Sequence, residues 1–262
     1  MSQSTISHHL PALVDQLACA ESLEPSPEIN ALFEELVRCV VHTPQHEVDA
    51  FRASSGFPTL ASRSRKLAEQ GETLLEYHWV ERFLARTTLT QDDLNAFPYL
   101  ACYQALAEHE HQIIQEHTSN TSLLFVGGGP LPLTAYLHAK RYGRAVRVLE
   151  RDHAAAETSR LLLDKLGVTK NVEVVHADIH NYDVAEKTIL LGALVGATEE
   201  EKRALIATLR SGATSKTLVI ARGAQDLAEL LYPPVPREPT LGYTKTIAER
   251  KDMINTLEVF TS

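Results

Sequence analysis

Apolar residues recur at helical spacing through the first part of the chain, up to about residue 118, with almost no alternating strand pattern. The clearest helix begins at Ser26-Pro27, a residue pair that suits the first positions of a helix. Further helices are predicted over 10–20, 62–86 and 99–117, with a short capped helix between the last two. The pattern therefore predicts an all-helical domain over residues 1–118.

After about residue 121 the pattern changes to short apolar runs that alternate with amphipathic segments. The runs cover residues 123–127, 145–150, 172–178, 188–195 and 217–223, and the segments between them lie near 131–142, 153–167, 199–210 and 225–231. Continuous apolar strands separated by helices indicate a parallel sheet with helices on both faces. This is an α/β fold of the doubly wound, Rossmann type.

Two final strands, TKTIAER and NTLEVF, follow a proline-rich stretch and have no helix between them. An antiparallel pair that closes a mostly parallel sheet is typical of the Rossmann sheets of methyltransferases. Residues 119–262 are therefore predicted to form a methyltransferase-like Rossmann domain, and the helical domain is expected to cover its substrate site.

Composition narrows the function classes. The 262 residues are 44% hydrophobic, and 25 Lys and Arg face 34 Asp and Glu, a formal net charge of -9. Such acidity gives no general attraction to nucleic acid or anionic lipid. The chain begins without a signal-peptide pattern and contains no run of about 18 apolar residues. Neither secretion nor membrane spanning is expected.

The cysteines and histidines give no metal-site pattern. Cys19, Cys39 and Cys102 lie far apart without a CxxC pair, which disfavours a disulfide framework or structural zinc and fits a reducing cytoplasm. The 12 histidines include no HExxH. We therefore expect a cytoplasmic protein without a bound metal.

A glycine triplet, Gly127-Gly128-Gly129, follows the first predicted strand and precedes a helix. Glycines there allow the backbone to approach a ligand closely, and Pro130 continues the loop. Pro132 stands where the dinucleotide fingerprint needs its third glycine, which argues against a bound pyrophosphate. The loop favours a nucleoside-type ligand instead.

Acidic residues end the next two predicted strands. Glu150 can accept both hydroxyls of a ribose, and Asp178, followed by Ile179, can meet the exocyclic amine of an adenine. After the fourth strand, Gly192 and Ala193 are small enough to border the ligand closely. Ribose and adenine contacts without a phosphate cradle suggest S-adenosylmethionine (SAM).

The string FVGGGPLPLTAY at 125–136 closely resembles the GSGPLPLT loop of nicotianamine synthases. The resemblance continues in order through HADI (176–179), LLGALVG (190–196), ARGAQDLAELLYPPV (221–235) and the final GYTKTIAERKDMINTLEVF. In the helical part, FPYLACYQALAEHE (97–110) is similar to the family motif FPYYDNYVDLxxLE. The resemblance covers about residues 95–262, whereas residues 1–90 match only in being helical.

The resemblance implies a transferase that moves the 3-amino-3-carboxypropyl arm of SAM and releases 5′-methylthioadenosine. The chain is shorter than the plant members and looks more like the bacterial branch, which adds one aminobutyrate unit to the α-amine of histidine for opine-type metallophores of the staphylopine and pseudopaline kind. L-Histidine is favoured over D-histidine, and glutamate or a second SAM remains an alternative acceptor. The expected partners are these small molecules, and a homodimer would be compatible with the family.

Four residues are candidates for the chemistry. Glu110 continues an apolar helical stripe and aligns with the glutamate that closes the family motif, so it is the first candidate for accepting the proton of the acceptor amine. Tyr136, one turn into the helix after the glycine loop, is the second candidate. Tyr103 matches the motif tyrosine and is expected at the substrate. Arg222 ends the fifth strand, where its guanidinium can bind a carboxylate through bidentate hydrogen bonds.

Two other interpretations stay open on the sequence alone. An ordinary small-molecule SAM methyltransferase would use the same sheet, Glu150 and Asp178, but would leave the PLPLT match unexplained. A non-catalytic SAM- or metal-sensing protein has only the histidines in its favour.

Overall fold

The structure is a computed structural model that describes residues 6–211, 217–236, 243–247 and 253–261. Within these ranges, six helices precede the first strand: α1 Ile6–Cys19, α2 Pro27–His42, α3 Gln45–Arg52, α4 Phe57–Leu84, α5 Gln91–Asn95 and α6 Leu100–His117. The Ser26 hydroxyl accepts a hydrogen bond from the Ile29 N–H and caps α2, and Thr90 and Asp93 cap α5 reciprocally. The predicted helical character of the first part is confirmed.

Seven strands and three further helices follow in the order β1 Ser122–Val126, α7 Leu133–Tyr142, β2 Ala145–Glu150, α8 His153–Lys165, β3 Val172–His176, β4 Thr188–Leu191, α9 Glu199–Ser211, β5 Leu218–Gly223, β6 Tyr243–Ile247 and β7 Thr256–Thr261. Short 3-10 helices lie at Ile179–Asn181 and Asp226–Leu230. The sheet order is β3-β2-β1-β4-β5-β7-β6. The first five strands run parallel, while β7 pairs antiparallel with both β5 and β6. The predicted doubly wound sheet with a closing antiparallel pair is confirmed.

Alternate residues of β1 point to opposite faces of the sheet and join different cores. Leu123 and Phe125 belong to a cluster that includes residues of α4, α6, α7 and α8. Leu124 and Val126 belong to a second cluster on the other face, which includes Ile206 of α9. A third cluster joins the N-terminal helices to Leu227, Leu230 and Leu231. The helical part therefore packs directly on the α/β part.

Three predicted elements end earlier or differ in kind. The run 172–178 forms a strand only as far as His176. The apolar run 188–195 forms a strand only as far as Leu191, because the backbone turns into the left-handed region at Leu194 with φ +50°. Segment 225–231 forms a 3-10 helix instead of an α-helix, since Asp226 has φ +54° and Pro233-Pro234 follow closely. In the predicted strand 244–250, residues 248–250 lie outside the described residues.

None of the helices in the described ranges is both long enough and apolar enough to span a bilayer.

Candidate active site

A cavity of about 660 Å³ lies at the carboxyl ends of the parallel strands, with one side of α4 forming part of its wall. Its volume is within the range of small-molecule sites. Eleven of the thirteen residues predicted from the sequence line it: Tyr103, Gly127, Gly128, Gly129, Pro130, Glu150, Asp178, Ile179, Gly192, Ala193 and Arg222. The edge of the sheet at which ligands of open α/β folds bind is thus concave and lined by these residues.

The glycine loop is shaped by backbone conformations and close contacts that only glycine permits. Gly127 and Gly129 have φ of +82° and +63°. At Gly128 an added Cβ would lie 2.3 Å from Cγ1 of Val148. The Gly129 N–H donates to Oε2 of Glu150 at 2.8 Å, which joins the loop to the end of β2. The backbone of the glycine triplet therefore lines the cavity directly, with no side chain between it and a ligand.

The Glu150 carboxylate has a bracing role that the sequence did not reveal. Besides the bond from Gly129, its Oε1 accepts the Asp152 N–H at 2.8 Å, so both oxygens are fixed by backbone groups. Each carboxylate oxygen can accept a further hydrogen bond, and the residue lines the cavity. Glu150 can therefore still accept the hydroxyls of a ribose.

Residues that directly follow β3 and β4 also line the cavity. Asp178 caps the short 3-10 helix, its Oδ1 accepting the His180 N–H at 2.9 Å, and the Ile179 side chain is buried beside it. The Gly192 N–H donates to the Val126 carbonyl at 3.0 Å, and an added Cβ at Gly192 would also lie 3.0 Å from that oxygen. Gly192 therefore allows the ends of β1 and β4 to approach closely.

Arg222, the fifth residue of β5, brings a buried positive charge to the cavity wall. Its Nε donates to Oε1 of Glu110 at 2.7 Å, and its Nη2 donates to the Thr134 hydroxyl at 2.9 Å. The guanidinium carbon lies 5.4 Å from the centre of the Phe125 ring. These contacts fix the orientation of the guanidinium group, which lines the cavity.

The two residues predicted to take the proton, Glu110 and Tyr136, are not among those that line the cavity. Glu110 is completely buried on α6, and its second oxygen lies 3.0 Å from Nε2 of the equally buried His138. Burial alone would raise the pKa of Glu110, but the charge of Arg222 and the bond from His138 hold it below the ordinary value. Tyr136 packs in the apolar core, where burial raises its pKa. Glu110 is thus paired with Arg222 and His138, Tyr136 packs among apolar residues, and their predicted roles as proton acceptors stay predictions.

Three glutamates of α4 line the cavity and were missed by the sequence analysis: Glu69, Glu72 and Glu76. Their spacing of three and four residues places them on one side of the helix. Glu72 and Glu76 also continue, at steps of four, the buried positions Ser64 and Ala68 toward Val80. The interruption of a buried stripe by two carboxylates, the same signal that singled out Glu110, was present in the sequence.

Glu76 lies against the glycine loop, since an added Cβ at Gly129 would be 2.7 Å from its Oε2. The Tyr103 hydroxyl donates to its Oε1 at 3.2 Å. Burial, followed by the negative charge of Glu72, raises the pKa of Glu76 well above its usual value. Burial, followed by the negative charges of Glu76 and Glu72, raises the pKa of Tyr103. Glu76 is therefore a carboxyl group at the cavity whose ionised form is disfavoured and whose orientation is fixed by Tyr103.

Glu72 is a second α4 glutamate at the cavity with a raised pKa. Burial raises its pKa to about 7, although the positive charge of Arg222 and a hydrogen bond with Tyr232 act in the opposite direction. The cavity is thus lined by Glu69, Glu72, Glu76, Tyr103 and Arg222 as well as by the glycine loop, Glu150 and Asp178.

Among the described residues, one group could offer three metal ligands: His9, Glu35 and Cys39. None of the three lines the cavity. The Glu35 carboxylate already accepts two hydrogen bonds from Arg38, so its charge is compensated without a cation. The expectation that no metal is required stays a prediction.

Comparison with known proteins gives one consistent family. The family model described as nicotianamine synthase protein matches residues 2–260. Nicotianamine synthase 9 of Hordeum vulgare is 29% identical over 257 residues, which cover 91% of this chain and 72% of that protein. Nicotianamine synthase 3 of Oryza sativa subsp. japonica is 32% identical over 231 residues, 83% of this chain and 65% of that protein. The match thus leaves about a third of the rice protein uncovered.

Solved structures agree on the fold. The crystal structure of MtNAS in complex with MTA and tNA has a TM-score of 0.86 at 20% identity and covers 100% of both chains. A mutant of MtNAS in complex with S-adenosylmethionine has a TM-score of 0.85 at 22% identity, with 99% of both chains covered. The helical part and the α/β part are therefore combined in these proteins as they are here.

Proposed function

Since the chain belongs to the nicotianamine synthase family, we propose that it is a SAM-dependent aminocarboxypropyl transferase. The observation that carries the proposal is one cavity lined both by the glycine loop, Glu150 and Asp178 and by Glu72, Glu76 and Arg222. We expect the first group to bind a nucleoside and the second group to bind a zwitterionic amino acid.

SAM, when bound, supplies an activated C–S bond: the acceptor nitrogen forms a C–N bond to the arm as 5′-methylthioadenosine leaves. A sulfonium has three electrophilic carbons, so orientation decides which one reacts. Glu150 and Asp178 would fix the ribose and adenine, while Arg222 would bind a carboxylate. Held at both ends, the arm of the ligand would face the acceptor, whereas its methyl group would not.

The acceptor amine is protonated at neutral pH and must lose a proton before it reacts. We assign this proton to Glu76, in place of Glu110 and Tyr136, because Glu76 lies at the cavity beside the glycine loop. Its raised pKa makes the Glu76 carboxylate a stronger base than an ordinary glutamate, and the Tyr103 hydroxyl orients it. Glu110 becomes a positioning residue that fixes the guanidinium of Arg222.

The acceptor is proposed to be histidine, with the L form favoured, as the resemblance to the bacterial branch implies. Glu69 and Glu72 at the cavity support an acceptor that carries positive charge on its amine or ring, and Arg222 supports a carboxylate on the same molecule. The product would serve an opine-type metallophore in the cytoplasm. The three cysteines form no disulfide with one another, which fits a reducing compartment.

The test is to incubate the purified chain with SAM and, separately, L-histidine, D-histidine, L-glutamate or no acceptor, and to identify products by mass spectrometry. Methylthioadenosine together with aminobutyryl-histidine in the L-histidine sample is expected. Transfer to another acceptor alone would overturn the histidine assignment and retain the chemistry. S-Adenosylhomocysteine instead of methylthioadenosine would overturn the transferase proposal itself.

A further inference from the structure

Lys202 of α9 is a fully buried lysine whose ammonium group contacts three backbone carbonyls. Its Nζ donates to the oxygens of Arg222 at 2.7 Å, Ala193 at 2.8 Å and Pro233 at 3.1 Å. An ammonium has three N–H donors, so the three carbonyls use all of them. Burying a charge is costly, and the catalytic scheme above gives this lysine no task.

The three carbonyls belong to three separate segments, of which two line the cavity and the third contacts a residue that lines it. Ala193 lines the cavity and directly precedes Leu194, whose φ of +50° is unfavourable for a branched side chain. Arg222 supplies the guanidinium of the site. Pro233 follows Tyr232, the hydrogen-bond partner of Glu72.

We propose that Lys202 is a positioning residue of the transfer reaction, which sets the relative positions of the loop after β4, the end of β5 and the segment at Tyr232. The role rests on the proposed function, because Lys202 would act by positioning Ala193, Arg222 and Glu72 for substrate binding. An apolar side chain of similar length would fill the same space but would leave three buried carbonyls without donors.

The contact also depends on the charge of the lysine. A neutral amine has two N–H donors and a lone pair, so one of the three carbonyls would lose its donor on deprotonation. Burial, followed by the positive charge of Arg65 on α4, lowers the pKa of Lys202 to about 7, although Glu258 on β7 acts in the opposite direction. SAM affinity should therefore fall as pH rises above about 7. Ionisation of Glu76 has the opposite effect, since it favours activity as pH rises.

The experiment compares Lys202→Met and Lys202→Arg with Glu200→Gln, an exposed position on the same helix. SAM affinity is measured by calorimetry between pH 6 and 9, and kcat and KM are measured by methylthioadenosine release. For Lys202→Met we expect at least a tenfold weaker SAM affinity at pH 6.5 and no further weakening toward pH 9. For Lys202→Arg, whose charge is permanent, the loss of affinity at alkaline pH should disappear. Glu200→Gln should behave as wild type.

A wild-type measurement protects the test against variants that do not fold. Amide hydrogen exchange, corrected for its intrinsic pH dependence, should show reduced protection at residues 192–197 and 222–235 at pH 8.5 relative to pH 6, without change in α1 to α3. Unchanged protection, or a folded Lys202→Met with wild-type affinity and pH profile, would overturn the proposal. Wild-type protein that binds SAM but releases no methylthioadenosine would instead refute the proposed function and leave this role testable.

Discussion

Replacing Glu110 by alanine should destabilise the protein strongly, because it would leave Arg222 and His138 buried without their common partner. Glu110 and His138 side chains are 0% exposed and that of Arg222 is 7% exposed. Removing one member of a buried ion pair costs about 3–5 kcal/mol. Set against a typical total stability of about 5–15 kcal/mol, this is a large fraction of the folding free energy.

The assay is urea denaturation followed by circular dichroism, with thermal unfolding as a second readout. At about 2–4 °C per kcal/mol for a chain of this size, the melting temperature should fall by roughly 6–20 °C. Glu108→Ala, an exposed position on the same helix, should stay within about 0.5 kcal/mol of wild type. Glu110→Gln, which retains an oxygen for the Nε of Arg222, should lose less than Glu110→Ala.

Combining Glu110→Ala with Arg222→Met tests whether the two side chains act as a pair. Because the double variant leaves neither charge unpaired, its loss of stability should be smaller than the sum of the two single losses by at least about 1 kcal/mol. The kinetic result separates the two roles of Glu110. A folded Glu110→Gln enzyme with unchanged stability and KM, but a kcat lower by a factor of a hundred, would refute the positioning role and restore Glu110 as the base.

Three further predictions concern the cavity itself. Glu76→Gln should lower kcat by at least a factor of about 100, with SAM affinity within about threefold of wild type, because it removes the proton acceptor and keeps the shape; methylthioadenosine release and calorimetry check this. Glu72→Gln should raise the free energy of unfolding at pH 8 by up to about 3 kcal/mol. The pKa of this carboxyl is about 7 in the folded state, so its ionisation opposes folding as pH rises from 4.5 through 7. Urea denaturation should show that the gain vanishes near pH 4. Gly129→Ala should lower both stability and kcat, because a Cβ there would lie 2.7 Å from Oε2 of Glu76 on a backbone with positive φ, and both losses are measured by the same two assays.

Matched control variants exist for Gly129→Ala and Glu76→Gln, and Glu72→Gln is its own control at pH 4. Gly143 also has positive φ, +64°, but nothing within 4 Å of an added Cβ, so Gly143→Ala should cost about 1 kcal/mol of stability and leave kcat unchanged. Glu81→Gln, exposed on the same helix as Glu76, should leave kcat unchanged. Full activity of Glu76→Gln, equal stability gains of Glu72→Gln at pH 4 and pH 8, or identical kinetics for the two glycine variants would each contradict the corresponding argument.

Local patterns were sufficient to predict the sheet and the residues that line the cavity around the glycine loop. Continuous apolar runs, the glycine triplet and acids at strand ends are short-range features, and each follows from the sequence around it. Residue-level orientation on helices was harder to predict. Glu110 was correctly placed on an inward face, but the sequence does not state whether an inward carboxylate meets a ligand or an arginine 112 positions away.

The α4 glutamates and Lys202 show the other limit. Glu76 is assigned to the site only because α4 packs beside the glycine loop, a contact between segments far apart in the sequence. Lys202 stands in a charged helix start, EEEKR, and reads there as a solvated residue. Only the packing of α9 beneath the ends of β4 and β5 places its ammonium among three carbonyls.

The most direct test of the proposed chemistry follows two labels on one molecule of SAM, ¹³C in the methyl group and ¹⁵N on the α-amine, during turnover with L-histidine. Transfer of the aminocarboxypropyl arm predicts that the ¹⁵N appears in the histidine product and that the ¹³C leaves with methylthioadenosine. A product that carries the ¹³C methyl group, with the ¹⁵N retained in S-adenosylhomocysteine, would contradict the account.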